Sequence, residues 1–198
     1  ALERAGDPVA QTRARRAASG QGPLVVLLAA VPAVPHEPED YSYGKHPRIL
    51  TSLDLQRSFI QTDPGITDVG SAVFIQCVGS REEPLNYCSR ICCQDAIKNA
   101  IALKEKSPAA QVTILYRDIR TYGLREDYYQ KARDLGVLFV RFEPEAKPQV
   151  TPEGGRFRVE TFDYVMNRDL RLYPDVVVLS TGLRPHPSTE KIGKQYKL

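Results

Sequence analysis

Between Ser71 and Phe142 the chain alternates short apolar runs with longer amphipathic stretches, and that alternation constrains the fold more than any other feature. Ala72–Val78 opens with Ala72, Val73, Phe74 and Ile75 in unbroken succession, the pattern of a strand buried on both faces. Asp95–Glu105 carries Ala96, Ile97, Ala100 and Ile101 at spacings of three and four, an apolar stripe on a helix. Val112–Tyr116 predicts a second buried strand, Arg125–Leu135 a helix ended by Gly136, and Val137–Phe142 a third strand. Strand, helix, strand, helix, strand is the order of a parallel sheet with crossover helices, so the expected class is α/β and Rossmann-like.

The remainder is antiparallel in character. Gln149–Thr151 and Phe157–Phe162 flank a Pro-Glu-Gly-Gly turn and predict an added hairpin, with Leu170–Tyr173 as a further strand. Asp175–Ser180 holds Val176, Val177, Val178 and Leu179, another buried strand, and it runs into Thr181-Gly182. Upstream, Leu50–Phe59 predicts a short helix capped by Thr51 or Ser52, with Asp54 in its first turn. Leu24–Leu28 is expected as one short strand. The expected organisation is a divergent or poorly ordered segment over 1–35, a linker and short helix over 36–70, a Rossmann-like domain over 71–182 and a return segment over 183–198.

All four cysteines fall inside the interval from Cys77 to Cys93. A secreted disulfide scaffold spreads its cysteines to close long loops, so this crowding argues for a metal site in a reducing, cytoplasmic compartment. Ten residues separate Cys77 from Cys88, three separate Cys88 from Cys92, and Cys93 follows directly. Zinc sites favour paired knuckles of closely spaced cysteines, and adjacent cysteines fit poorly around one small ion. A cubane cluster is wider, so neighbouring side chains reach different irons. Spacing therefore favours an iron–sulfur cluster on Cys77, Cys88, Cys92 and Cys93, with structural zinc, a redox dithiol and plain buried cysteines as the other readings. Cys77 ends a predicted strand and Cys93 begins a predicted helix, whose amino-terminal amides favour an anionic group. Arg81, Arg90 and Lys98 are the basic residues near enough in sequence to offset thiolate charge.

A dinucleotide site needs G-x-G-x-x-G after the first strand. Cys77-Val78-Gly79-Ser80-Arg81 supplies one glycine there, so a nucleotide loop rebuilt around a cluster is expected. Arg117 and Arg120 follow the second strand, where an NADPH enzyme holds a 2′-phosphate, which leaves an NADPH-dependent disulfide reductase domain as an alternative. Thr181-Gly182 is the better candidate for a flavin contact, because a glycine in that turn lets backbone amides come close to a ring. His36, His46 and His186 lie beside prolines or in loops without ligand spacing, and no paired carboxylates or Ser–His–Asp pattern is present. A net charge of +3, from 27 Lys+Arg against 24 Asp+Glu, does not call for nucleic acid as a partner. The most apolar run, Pro23–Pro35, is broken by prolines and too short to span a bilayer.

Three blocks of sequence carry a family resemblance. They are Phe74-Ile75-Gln76-Cys77-Val78-Gly79-Ser80-Arg81, Tyr87-Cys88-Ser89-Arg90-Ile91-Cys92-Cys93 and Ala96-Ile97-Lys98-Asn99-Ala100. With Leu115–Gly123, Val177–Leu183 and Tyr43–Thr51 they resemble the A subunit of heterodisulfide reductase over about Glu37 to Gly193. The resemblance implies a thioredoxin-reductase-like flavoprotein with FAD and [4Fe-4S] clusters that exchanges electrons with other redox subunits. It also implies that this chain is a piece of a longer protein, because the family's glycine-rich FAD fingerprint is absent and Ala29-Ala30-Val31 stands where its Ala-Thr-Gly turn is expected.

Overall fold

The computed structural model describes residues 33–67 and 69–196. The expected strand Leu24–Leu28, the Ala29–Val31 departure and nearly all of the expected amino-terminal segment lie outside the described residues. Two compact units divide the chain, one over Pro35–Leu183 and one formed by Arg184–Leu198 with the residues before Pro35.

The larger unit is built on a five-stranded parallel sheet. Its strands are β2 (Ile49–Thr51), β3 (Ser71–Val78), β4 (Gln111–Tyr116), β5 (Leu138–Arg141) and β9 (Val176–Thr181), in spatial order β2-β9-β3-β4-β5. Helices α1 (Ser52–Gln61), α3 (Cys92–Lys106) and α4 (Glu126–Asp134) form the crossovers, with a short helix α2 (Pro64–Thr67) before β3. Residues 36–70, expected as a linker and short helix, carry that helix as α1 and also supply the edge strand β2. The signal was weak because β2 is three residues long and merges into the helix.

Ala72, Phe74, Val112, Ile114, Val176 and Val178 pack one face of the sheet against Leu55 of α1, Ala96, Ile97 and Ala100 of α3 and Ala132 of α4. Each large side chain fully buried here contributes about 1.5–3 kcal/mol relative to exposure. The opposite face, with Val73, Ile75, Leu115, Val177 and Leu179, is covered by Phe157 and Val159. Those residues belong to a three-stranded antiparallel meander of β6 (Gln149–Glu153), β7 (Arg156–Asp163) and β8 (Arg168–Leu172). The expected hairpin is therefore present, turned at Gly154-Gly155, where both residues have positive φ.

Helix α1 starts with a capping box. The Asp54 amide donates to Thr51 Oγ1 at 3.2 Å, and the Thr51 amide donates to Asp54 Oδ2 at 3.0 Å. Tyr43 adds a hydroxyl donor to the same carboxylate at 2.9 Å. Burial, the largest single influence on Asp54, pushes its pKa up. The hydrogen bonds from Thr51 and Tyr43 and the charge of Arg57 outweigh it and hold the carboxyl below its ordinary value.

Strand β1 (Ala33–Pro35) pairs with β10 (Leu183–Pro185), and helix α5 (Ser188–Tyr196) follows. Among the described residues no helix is long and apolar enough to cross a membrane.

Candidate functional site: the cysteine loop and the turn after the last strand

The parallel register brings the site together. β3 lies between β4 and β9, and at its carboxyl end Val78 pairs with Thr181 after an irregularity that begins beyond Ile75. Cys77 has φ +62°, a left-handed conformation that a non-glycine residue adopts only under constraint. Beyond it the Ser80 amide donates to the Cys77 carbonyl at 3.3 Å, and the Arg81 amide donates to the carbonyls of Leu85 at 2.8 Å and Tyr87 at 3.2 Å. These bonds fold residues 79–91 back on themselves. Arg81 and Arg90 also hold positive φ, so three of the turns that shape the loop are made by side-chain-bearing residues.

Helix α3 then begins at Cys92, one residue before Cys93. Its amino-terminal flank, Ile91, provides no side-chain cap. The expected helix thus extends further upstream than Asp95. Cys88 lies outside it in irregular backbone, so Cys88 and Cys92, four apart in sequence, do not share a helical turn.

All four cysteines are free thiols. The Cys92 thiol donates to the Thr181 carbonyl at 3.3 Å, and the Cys93 thiol to the Asp118 carbonyl at 3.7 Å. The Arg90 amide donates to Cys88 Sγ at 3.3 Å, and Arg81 Nη1 donates to Cys77 Sγ at 3.8 Å. Burial first, and then the charges of Cys93, Cys77 and Cys88, push the Cys92 thiol up to about 12. Cys93 is pushed up to about 11, first by burial and then by Cys77, Cys88 and Asp118 against one backbone hydrogen bond that lowers it. Burial likewise raises Cys77, opposed by Arg81 and Arg117. Thiols so placed ionise only when positive charge is supplied among them, which is what thiolate-bound metal provides. Among the described residues no group of three or more His, Cys, Asp or Glu side chains is arranged to hold a single metal ion.

Of the three basic residues expected near the thiols, Arg81 reaches Cys77 and ion-pairs with Asp118 Oδ1 at 2.5 Å. Arg90 acts through its backbone amide. Lys98 instead pairs with Asp95 at 3.6 Å, on the exposed side of α3. Asp118 joins Arg81 to Arg120, whose Nη2 lies 3.1 Å from Oδ2. Arg117 donates to the Arg81 carbonyl at 3.2 Å. The two arginines that stand where an NADPH enzyme holds a 2′-phosphate are therefore engaged with the cysteine loop and its counter-ion.

Thr181 ends β9 and Gly182 follows. Gly182 is not among the residues with left-handed backbone. Close approach explains the glycine instead: an added Cβ would lie 2.9 Å from Ser89 Oγ and 3.2 Å from Ser80 Cβ. Ser89 binds the same turn, accepting from the Leu183 amide at 2.7 Å and donating to its carbonyl at 3.5 Å. Tyr87 donates its hydroxyl to that carbonyl at 2.9 Å. The cysteine loop and the Thr181–Leu183 turn are one hydrogen-bonded assembly.

Sequence reasoning missed Ser89, Gln76 and His36. Ser89, between Cys88 and Arg90, carries no signal of its own. Gln76 does carry one, as a polar residue inside an apolar strand run. Buried His36 donates its amide to the Gly182 carbonyl at 2.9 Å, and its ring fills the space beside Gly79, 2.0 Å from where a Cβ would stand. Its neighbouring prolines signal a constrained backbone but not this contact.

No family model matches the chain. Curated relatives do. The chain is 37% identical over 173 residues to the iron-sulfur A subunit of the CoB--CoM heterodisulfide reductase of Methanocaldococcus jannaschii, covering 81% of this chain and 26% of that protein. It is 38% identical over 169 residues to the A subunit of the H(2)/formate:CoB-CoM heterodisulfide,ferredoxin reductase of Methanococcus maripaludis, covering 79% of this chain and 26% of that one. The chain thus resembles the A subunit of heterodisulfide reductase and spans about a quarter of the length of these relatives. Solved structures show the fold alone. The L-lysine 6-monooxygenase of Pseudomonas syringae superposes with a TM-score of 0.53 at 12% identity, over 78% of this chain and 45% of its own. A cadaverine monooxygenase of Erwinia amylovora, solved bound to FAD, superposes with a TM-score of 0.53 at 10% identity, over 84% and 46%. These neighbours bear out the α/β, Rossmann-like class.

Proposed function

We propose that this chain is the cysteine-bearing portion of a heterodisulfide-reductase-type oxidoreductase subunit, and that it relays electrons between an iron–sulfur cluster and FAD. Cys77, Cys88, Cys92 and Cys93 are the ligands of one [4Fe-4S] cluster, and Thr181 and Gly182 belong to the surroundings of the flavin. Bound together, the cluster carries single electrons and the flavin one or two, which lets a relay join donors and acceptors of different electron number. The electron donors and acceptors in this reading are other redox subunits of a cytoplasmic complex.

The observation that carries the reading is the hydrogen-bonded union of the cysteine loop with the Thr181–Leu183 turn, seen in the contact of Cys92 Sγ with the Thr181 carbonyl. A cubane takes each cysteine on a different iron, so its thiolates stand farther apart than those around one zinc ion. The thiols of Cys77, Cys88, Cys92 and Cys93 lie close enough to influence one another by charge, as ligands gathered on one cluster do. Arg81, itself fixed by Asp118, offsets part of the thiolate charge at Cys77, and the uncapped start of α3 turns peptide dipoles toward Cys92 and Cys93.

Visible absorption of protein purified without oxygen tests the reading. Broad brown absorption that bleaches on reduction is expected. A colourless protein with stoichiometric zinc would replace it with a structural zinc module.

A further inference from the structure

Gln76 is 2% exposed, and both ends of its carboxamide lack a hydrogen-bond partner among the described residues. Leaving a buried polar group unmatched costs about 1–3 kcal/mol per group, so a buried glutamine with two unmatched ends requires explanation. Its place supplies one. Gln76 precedes Cys77 on β3, at the start of the irregularity where β3 breaks register with β9, and the two residues wall the same narrow cleft. Val78, beyond the irregularity, packs with Val73 and Ile75, so the strand's alternation of faces is interrupted here, and the cleft is also lined by Gly79, Arg117 and Phe142. Gln76 thus stands next to one cysteine in the chain and lines the same cleft.

We infer that Gln76 is a positioning residue for the group held by those cysteines, its Nε2 donating to a sulfur of the cluster or to Cys77 Sγ. The inference rests on the cluster reading above. A carboxamide N–H directed at a cluster sulfur favours the more negative, reduced state, because added electron density strengthens the bond. Gln76 therefore raises the reduction potential. The Gln76 Nε2 would then find its partner only in the loaded protein, which accounts for the donor end left unmatched by the polypeptide.

The test is a redox titration followed by electron paramagnetic resonance on the loaded full chain, comparing wild type with Gln76→Met and Gln76→Glu. Iron and sulfide content and the reduced-state signal of the wild type decide the cluster reading separately from this inference. With the cluster present, Gln76→Met is expected to keep its iron and show a lower midpoint potential. Gln76→Glu, which replaces a donor with a negative acceptor, is expected to lower it further, and it serves if the Met variant does not accumulate. An unchanged midpoint in either variant at full iron content would overturn the inference and leave the carboxamide to a buried water. Pulsed resonance on wild type carrying side-chain 15N-glutamine gives a readout independent of the variants' folding. A nitrogen coupling to the reduced cluster is expected, and its absence contradicts the inference.

Discussion

The Cys92 thiol lies 3.3 Å from the carbonyl oxygen of Thr181, so a side chain of the cysteine loop touches the backbone of the turn that ends the last parallel strand. The contact is made possible by the parallel pairing of β3 with β9, which sets Val78 opposite Thr181.

Gly182 and Ser89 form a coupled pair. Ser89→Ala removes the acceptor of the Leu183 amide and is expected to cost about 1 kcal/mol. Gly182→Ala pushes a methyl group against Ser89 Oγ and is expected to cost more, with loss of iron as well as of flavin in a longer chain. The double variant should be less destabilised than the two single effects added, because removing the serine hydroxyl relieves the crowding. Denaturant unfolding of the four proteins measures the coupling, and strict additivity would contradict it.

Gly79→Ala meets two obstacles: a φ of +63° and the His36 ring, 2.0 Å from the new Cβ. A loss of more than about 2 kcal/mol is expected. Adding His36→Ala should recover the steric part and leave the backbone part. Thermal melts of the single and double variants check this, and no recovery would mean that the ring does not define the space beside Gly79.

The Thr51–Asp54 capping box predicts a pH-dependent contribution to stability. Asp54 has a folded-state pKa below its unfolded value, so its stabilisation is fully present above the unfolded pKa, about 4. It is lost as pH falls through the lower folded value. Asp54→Asn should therefore destabilise at neutral pH and approach wild type in strong acid. Urea midpoints at the two pH extremes measure it, and an equal deficit at both would contradict the linkage.

NAD(P)H is expected to bind weakly or not at all. The loop after β3 offers Gly79 alone, His36 occupies the space beside it, and Arg117 and Arg120 are committed to the Arg81 carbonyl and to Asp118. Calorimetric titration with NADPH should give no measurable heat of binding. Micromolar affinity would return Arg117 to the role of a phosphate ligand.

The parallel sheet was legible because its strands are buried on both faces and read as unbroken apolar runs, as in Ala72–Ile75 and Val176–Leu179. Helix α3 was legible from its alanine and isoleucine stripe and from Cys93 at its start, and it begins one residue earlier, at Cys92, with no side-chain cap from Ile91. Strand β2 was hidden by its length and by Thr51, which serves both as strand end and helix cap. The cysteines were visible as a set because of their crowding. Their supporting contacts were not, since Ser89, Asp118 and His36 act across sequence separations that leave no local pattern. Gly182 stood out as a turn glycine, but the sequence carries no sign of the two serines that exclude a side chain there.

Counting iron and acid-labile sulfide in protein purified without oxygen tests the central claim most directly. The account predicts about four of each per chain, with loss when Cys77, Cys88, Cys92 or Cys93 is replaced by alanine. Stoichiometric zinc without sulfide, or a full complement of iron and sulfide in every single-cysteine variant, would contradict it.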